Sequence, residues 1–524
     1  MASRAVAAIA RQYRWRGAVN LRGRGCTMAG ILAIGAVVTG CLWDPNPASA
    51  SGSQSTTESS VQRMVDSIAA VMEDIRGAGF DRRVCGRLLT DAEWSEYQTG
   101  IFDSSWQGTY FEDYSVELFQ LGFTRDSTFD FAQEYQEVYG SGVAGFYVPG
   151  SDSLYVVGYD QDLSQDQRDN LHSIVAHELV HALQDQHLHA FDSTIESSVH
   201  CSWLETDFDL AHQHVVEGDA EFCRVLFIYG HQLRISPASQ YARAYFSDVR
   251  SDYLDVASQD SFPQPFFLNY VVYSPYINGP YRVGNIYQAG GNSWSGVDDL
   301  FSRTNLTMAE IITGEQVTPR CFPTAQLRDA LRASSSLYWD DDNLGALLII
   351  ALLAPRLSAQ EAADALGWAG DYLLYVRHAR DSLGSMVWAF SFTDKTSADR
   401  FYALLGDHVV QRFDTAAPAC SLAGEEWSSD SLYFVQTYEG SSLQTQLVQS
   451  DDEVYWLENA GGQWADMVDI LVSSRNQPLA KAPAARPRAP TKVPHTPRGP
   501  SLPLLLPKLK EAERLIGRNL PTKG

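Results

Sequence analysis

The chain has 524 residues, 45% of them hydrophobic and 11% aromatic, which is enough apolar material for a large core in more than one domain and too much for a disordered protein. Its formal charge of −25 is uneven: residues 1–40 carry +6 and residues 475–524 carry +9, so the body between them carries −40. A body so acidic repels phosphate backbones and argues against nucleic acid as a partner.

At the N-terminus, arginines precede an apolar run from Met28 to Val38 and then Thr39-Gly40-Cys41. The run is too short to span a bilayer and suits the core of a signal peptide, expected over 1–40. The ending Val-Thr-Gly-Cys resembles a bacterial lipobox. That resemblance implies cleavage before Cys41, a lipid on its thiol, and a mature chain anchored to a membrane in the cell envelope. With Leu42 in place of Asp, it implies the outer membrane in a two-membrane bacterium. Ordinary secretion with Cys41 incidental, and an uncleaved anchor, are the alternatives.

Residues 41–60, rich in Ser, Pro, Gly and Thr, read as a flexible tether. Apolar periodicity then predicts helices over 61–75, 91–102 and 111–123, and a β-hairpin over 142–157 around Pro149-Gly150. Two longer helices, about 164–187 and 207–229, carry the residues discussed below. After 338 the pattern changes to helices over 343–357, 359–366 and 397–410, strands over 372–377, 386–392, 431–438, 443–449 and 453–458, and a last helix over 463–472. The expected fold class is α+β: a helix-rich first domain over 61–335 and a smaller α+β module over 336–474. Residues 475–524 hold ten of the 22 prolines with scattered Lys and Arg, and are expected to be a disordered basic tail. Cys85, Cys201, Cys223, Cys321 and Cys420 are too scattered for a thiolate metal site, and one or two disulfides are allowed.

The strongest signal is His177-Glu178-Leu179-Val180-His181. Histidines at i and i+4 share one helix face, so both imidazoles can reach one cation with the intervening Glu beside them. Ser164 and Gln167 offer a capping box, and Leu171, Ile174, Val175, Leu179, Ala182 and Leu183 a buried stripe. A catalytic zinc takes three protein ligands and keeps one open position. Glu217, in His214-Val-Val-Glu217-Gly218-Asp-Ala-Glu221, is the expected third ligand, from a second helix crossing the first. Gly218 would then leave room for the two helices to approach. Glu221, one turn on, could accept from a ligand histidine, and Asp185 is a second candidate for that role. His187 has the spacing of the H-E-x-x-H-x-x-G-x-x-H motif, but Gln184 stands where that motif needs Gly to turn the chain. His214 is the remaining candidate for the third position.

Glu-Gly-x-Ala-x-aromatic after H-E-x-x-H resembles the gluzincin metallopeptidases, in which that Glu is the third zinc ligand. Several blocks also resemble an uncharacterised family of bacterial envelope proteins described as metallopeptidases. These are Val143-Ala-Gly-Phe-Tyr, the run from Ala176 to Gln186, Val216-Glu-Gly-Asp-Ala, Pro275-Tyr-Ile-Asn-Gly and Gly367-Trp-Ala-Gly-Asp-Tyr. The resemblance spans about 61–475 and implies a zincin-like catalytic domain, bound Zn2+ and a peptide or protein substrate. Glu178 is then the general base that takes a proton from a zinc-activated water. Tyr276 is the candidate for stabilising the oxyanion, with a packed core tyrosine as the alternative. The strand at 143–147 could align a substrate backbone, or be an ordinary buried strand. Thr313-Gly314 stands where the family leads one to expect His-Pro. Two other functions stay open: an inactive zincin fold that binds peptides or envelope partners, and a zinc hydrolase acting on another bond.

Overall fold

The computed structural model describes residues 54–459 apart from 91, 97–109, 125–128, 132, 135–144, 159–163, 192–196, 198–204, 258–265, 323–337, 378–382, 414–419, 428–430 and 439–440. The expected signal peptide, Cys41, the basic tail and the expected helix over 463–472 lie outside the described residues, as does most of the expected helix over 91–102.

The fold is α+β. Helix α1 (Gln54–Arg76) leads into strand β1 (Cys85–Leu89), helix α2 (Tyr110–Leu121) and a hairpin of β2 (Gly145–Val148) and β3 (Ser153–Val157). β1 runs parallel to β3 and β2 antiparallel to it, so this sheet has the order β1-β3-β2 with β2 at an edge. Helices α3 (Gln165–Leu183) and α4 (Thr206–Leu226) follow, each running into a π-helical turn, Gln184–Leu188 and Phe227–Gln232. Val61, Val65 and Met72 of α1, Leu154 and Val156 of β3, Leu171, Val175 and Leu179 of α3, and Ala220 and Phe227 form one buried cluster. That cluster fixes α1, the small sheet, α3 and α4 as a packed unit, as the apolar periodicity of α3 requires.

Beyond α4 come α5 (Ala238–Ala257), α6 (Phe266–Tyr273), α7 (Asn278–Ala289), α8 (Ser295–Phe301) and α9 (Met308–Thr313). A short 3-10 turn, Ser274–Tyr276, joins α6 to α7. Then follow β4 (Tyr338–Asp342), α10 (Gly345–Leu353), α11 (Ala359–Ala363), β5 (Trp368–Arg377), β6 (Ser385–Phe392), α12 (Lys395–Gln411), β7 (Cys420–Trp427), β8 (Ser431–Tyr438), β9 (Ser441–Ser450) and β10 (Glu453–Glu458). The strands form an antiparallel seven-stranded sheet of order β4-β5-β6-β10-β9-β8-β7. β4 and β7 carry too many polar residues to announce themselves as strands, and neither was expected.

The largest apolar core draws on both sides of the expected division at 335/336: Phe208, Val216 and Phe222 of α4 share it with Leu348 of α10 and with Trp388 and Trp456 of the large sheet. α10, Gly345-Ala-Leu-Leu-Ile-Ile-Ala-Leu-Leu353, is apolar on every face and buried throughout, as a helix enclosed on all sides must be. Asp207 in the first turn of α4 accepts from the backbone N–H groups of Met308 and Ala346, which ties the start of that helix to α9 and α10. Cys321 is disulfide-bonded, while Cys85 and Cys223 are free. Among the described residues no helix is long and apolar enough to cross a membrane.

Candidate metal centre

α3 starts where its sequence says it should: Ser164 and Gln167 form the reciprocal capping box, and the helix runs unbroken to Leu183. Its last two turns are wholly buried, and they bring the rings of His177 and His181 to a centroid separation of 4.7 Å, nearly perpendicular to one another. α4 crosses this segment and presents Glu217. The three residues form the group among the described residues that could hold a metal ion, with ligand atoms all within 4.8 Å of one another. His177 Nε2 lies 3.1 Å from His181 Nε2, and Glu217 Oε2 lies 3.2 Å from the first and 3.5 Å from the second.

What lies behind each ring decides what these atoms can do. His177 Nδ1 faces Glu221 Oε2 at 3.4 Å. His181 Nδ1 lies 2.9 Å from Gln184 Oε1. The Gln184 amide is oriented by two acceptors, donating through Nε2 to the Val216 carbonyl and to Asp219 Oδ2, both at 2.9 Å. Both Nδ1 positions therefore face acceptors, so that in the neutral form of each ring the proton is favoured on Nδ1 and the lone pair on Nε2. Two imidazole lone pairs and a carboxylate oxygen thus converge in a buried space. A small cation relieves that repulsion, and a regular tetrahedron with bonds of about 2.05 Å has edges of about 3.3 Å, close to the three separations above. Glu217 Oε1 is also buried without a hydrogen bond, which is a further fit to a metal ligand. Imidazole and carboxylate donors suit zinc better than the hard oxygen-seeking cations.

The electrostatics agree. Burial alone would depress His177, but its hydrogen bonds to Glu217 and Glu221 outweigh it and push the imidazole up to about 10. Burial would raise Glu217, but His181 and His177 outweigh it and pull the carboxyl down to about 2. Glu221 is likewise held below its ordinary value against burial, here chiefly by Arg224, which binds both its oxygens at 2.7 and 2.5 Å.

Glu178 is fully buried, and β2 runs beside it: a Cβ on Gly145 would sit 3.7 Å from Glu178 Cγ. Tyr276, at the end of the 3-10 turn, lays its ring against His177 at 6.2 Å between centroids and 28° between planes. Two expectations, for Asp185 and for the helix that approaches Gly218, need correction, and the two alternatives to Glu217 are placed elsewhere. Asp185 does not back a histidine: its Oδ2 accepts from the Tyr147 hydroxyl and the Gly150 N–H, both at 2.8 Å, because the π turn after Leu183 swings it toward the hairpin. His187 leaves the site by the same turn and pairs with the Gly79 carbonyl. His214 is held by the Leu210 carbonyl and by Ser274 Oγ at 2.7 Å, and burial depresses it to about 4. Gly218 does allow a close approach, but of α7 and not of α3: a Cβ there would lie 2.4 Å from the carbonyl carbon of Gly279. Thr313-Gly314 is a helix ending, with Gly314 at φ 86° closing α9.

Gln184, Asp219 and Arg76 were missed. Gln184 had a usable signal, since residue i+3 from His181 shares its helix face. The bond from Arg76 to Asp219 joins residues 143 apart and left no trace in the sequence.

No protein-family model matches the chain, and no curated protein matches it. Among solved structures, the extracellular domain of PknH from Mycobacterium tuberculosis aligns with 29% of this chain and 90% of that chain, at 12% identity and a TM-score of 0.20.

Proposed function

We propose that the chain is a zinc-dependent peptidase of the gluzincin kind, with His177, His181 and Glu217 as metal ligands and Glu178 as general base. The observation that carries this reading is the convergence of two imidazole lone pairs and one carboxylate oxygen, each ring backed by an acceptor, next to a buried Glu. A structural zinc would also be buried, but it takes four protein ligands, and among the described residues three converge here.

When bound, zinc supplies Lewis acidity and an activated water. The chain's own residues do the rest. Glu178, adjoining His177 on α3, takes the proton of the attacking water and hands it to the leaving amine. Its buried setting strengthens every charge interaction of that transfer. Tyr276, packed on His177, supplies a hydroxyl to the developing oxyanion. β2, the outer strand of its sheet among the described residues and lying beside Glu178, would align an extended peptide by backbone pairing. In the same proposal Cys41 carries the lipid that holds the protein in the cell envelope, and palmitate labelling lost in Cys41→Ser tests that part.

The experiment that tests the activity is Glu178→Gln on purified full-length protein, assayed with a mixed peptide library. The proposal expects hydrolysis by the wild type, loss of it in the variant, and unchanged zinc content in both. A variant that cleaves as fast as the wild type contradicts it, and a zinc-loaded wild type that binds peptides without cleaving them establishes the inactive binding protein instead.

A further inference from the structure

A primary amide reads almost the same in either orientation, so the direction of Gln184 has to be set by what surrounds it. Its Nε2 end meets the Val216 carbonyl and Asp219 Oδ2, and neither can donate. Reversed, the amide would set its oxygen against both of these acceptors and turn its NH2 on His181 Nδ1. His181 would then have to carry its proton on Nε2, in the middle of the three converging donors. Asp219 is fixed in turn by Arg76, whose Nε lies 3.1 Å from Oδ1 and 3.2 Å from Oδ2. Arg76 also pairs with Asp298 and lies over the Trp294 ring at 4.5 Å. It is the last residue of α1, and both it and Asp219 are buried, at 5% and 0% exposure.

We infer that Gln184 is a positioning residue that fixes the Nδ1–H tautomer of His181, that Asp219 sets the direction of Gln184, and that Arg76 thereby makes helix α1 a working part of the metal centre. The inference deepens the zinc reading and rests on it for its functional meaning, but the tautomer itself is a property of the metal-free chain. The two ligand histidines are supported differently. His177 is backed by a carboxylate neutralised by Arg224, whereas His181 is backed by a neutral amide with the charge one step further away on Asp219. The His181 arm therefore depends on the orientation of a neutral amide, where the His177 arm depends on a charged group.

The test uses full-length protein labelled with 15N-histidine, at about pH 8, metal-free and with one equivalent of zinc. The His181 signals are assigned by their loss in His181→Gln. In the wild type the inference expects His181 as the Nδ1–H form before zinc is added. Gln184→Leu should give a mixture of the two tautomers and zinc binding weaker by about 10- to 100-fold. If that variant does not fold, Gln184→Met, closer in shape, serves in the same comparison. The double variant Gln184→Glu with Asp219→Asn keeps an acceptor on His181 and a donor behind it at 219, with one carboxylate oxygen left against the Val216 carbonyl, so it should restore the Nδ1–H form and recover part of the affinity. A Gln184→Leu protein that keeps His181 wholly as Nδ1–H with wild-type zinc affinity overturns the inference, and so does a double variant no better than the single one. A wild type that binds no zinc overturns the metal reading alone, because the metal-free tautomer comparison still decides the role of Gln184.

Discussion

Replacing Gly218 by alanine is expected to separate two helices that now touch through their backbones. The added Cβ would lie 2.4 Å from the Gly279 carbonyl carbon and 2.7 Å from both its Cα and its oxygen, whereas ordinary contact begins at 3.4 Å. Backbone atoms cannot rotate away as a side-chain tip can, so α4 and α7 must part by about 1 Å at this point. Alanine in a helix interior gains about 1 kcal/mol over glycine, and overpacking costs about 1–3 kcal/mol or more, with this contact at the upper end. The net expectation is a loss of about 2 kcal/mol. Gly230→Ala is the control, since its Cβ would meet Ala238 Cβ at 3.4 Å, an ordinary contact. Urea denaturation of both variants, with zinc and with chelator, measures the difference. Gly218 adjoins Glu217, so the shifted helix should also bind zinc more weakly. If Gly218→Ala is as stable as Gly230→Ala and binds zinc normally, the packing argument is wrong.

Three other variants probe separate parts of the molecule. Tyr276→Phe keeps the ring against His177, so zinc content and stability should hold while kcat falls by about 10²- to 10³-fold with little change in KM. Asp185→Ala removes the acceptor of the Tyr147 hydroxyl and the Gly150 N–H, which should cost about 1–3 kcal/mol by thermal unfolding without loss of zinc. Asp342 and Asp371 are pushed up to about 7 and about 6 by burial, against the pull of Thr206 on the first and of Trp388 on the second, and the two carboxyls repel each other's charge. Raised folded-state values mean that stability is fully present below about pH 4 and is lost as pH climbs through about 6 to 7. Asp342→Asn should therefore gain on the wild type across pH 5–8 in denaturation midpoints, and a constant difference would show that the carboxyl does not titrate there.

The convergence of His177, His181 and Glu217 was legible because its parts are local: two histidines one turn apart on a capped amphipathic helix, and a Glu-Gly step on the next long helix. The position of Glu221 beside His177 could be read for the same reason, since i and i+4 share a face. Asp185 obeyed the same spacing and still went elsewhere, because the helix widens into a π turn at Gln184, and periodicity taken at 3.6 residues per turn does not foresee that. The purpose of Gly218 was half read: the glycine announces a close approach but does not say which helix arrives, and α7 joins α4 through Gly279, 61 positions away. The shared core was hidden for a different reason. Leu348, Trp388 and Trp456 read as the interior of a C-terminal module, and nothing in their spacing shows that α4 packs into the same interior.

The most direct measurement is the metal content of the purified full-length chain, set beside that of Glu217→Ala and His177→Ala. The account predicts close to one zinc per wild-type chain, tightly held, and its loss from both variants while each remains folded. A wild type that takes up no transition metal after reconstitution, or a Glu217→Ala protein that holds zinc as firmly as its parent, would contradict it.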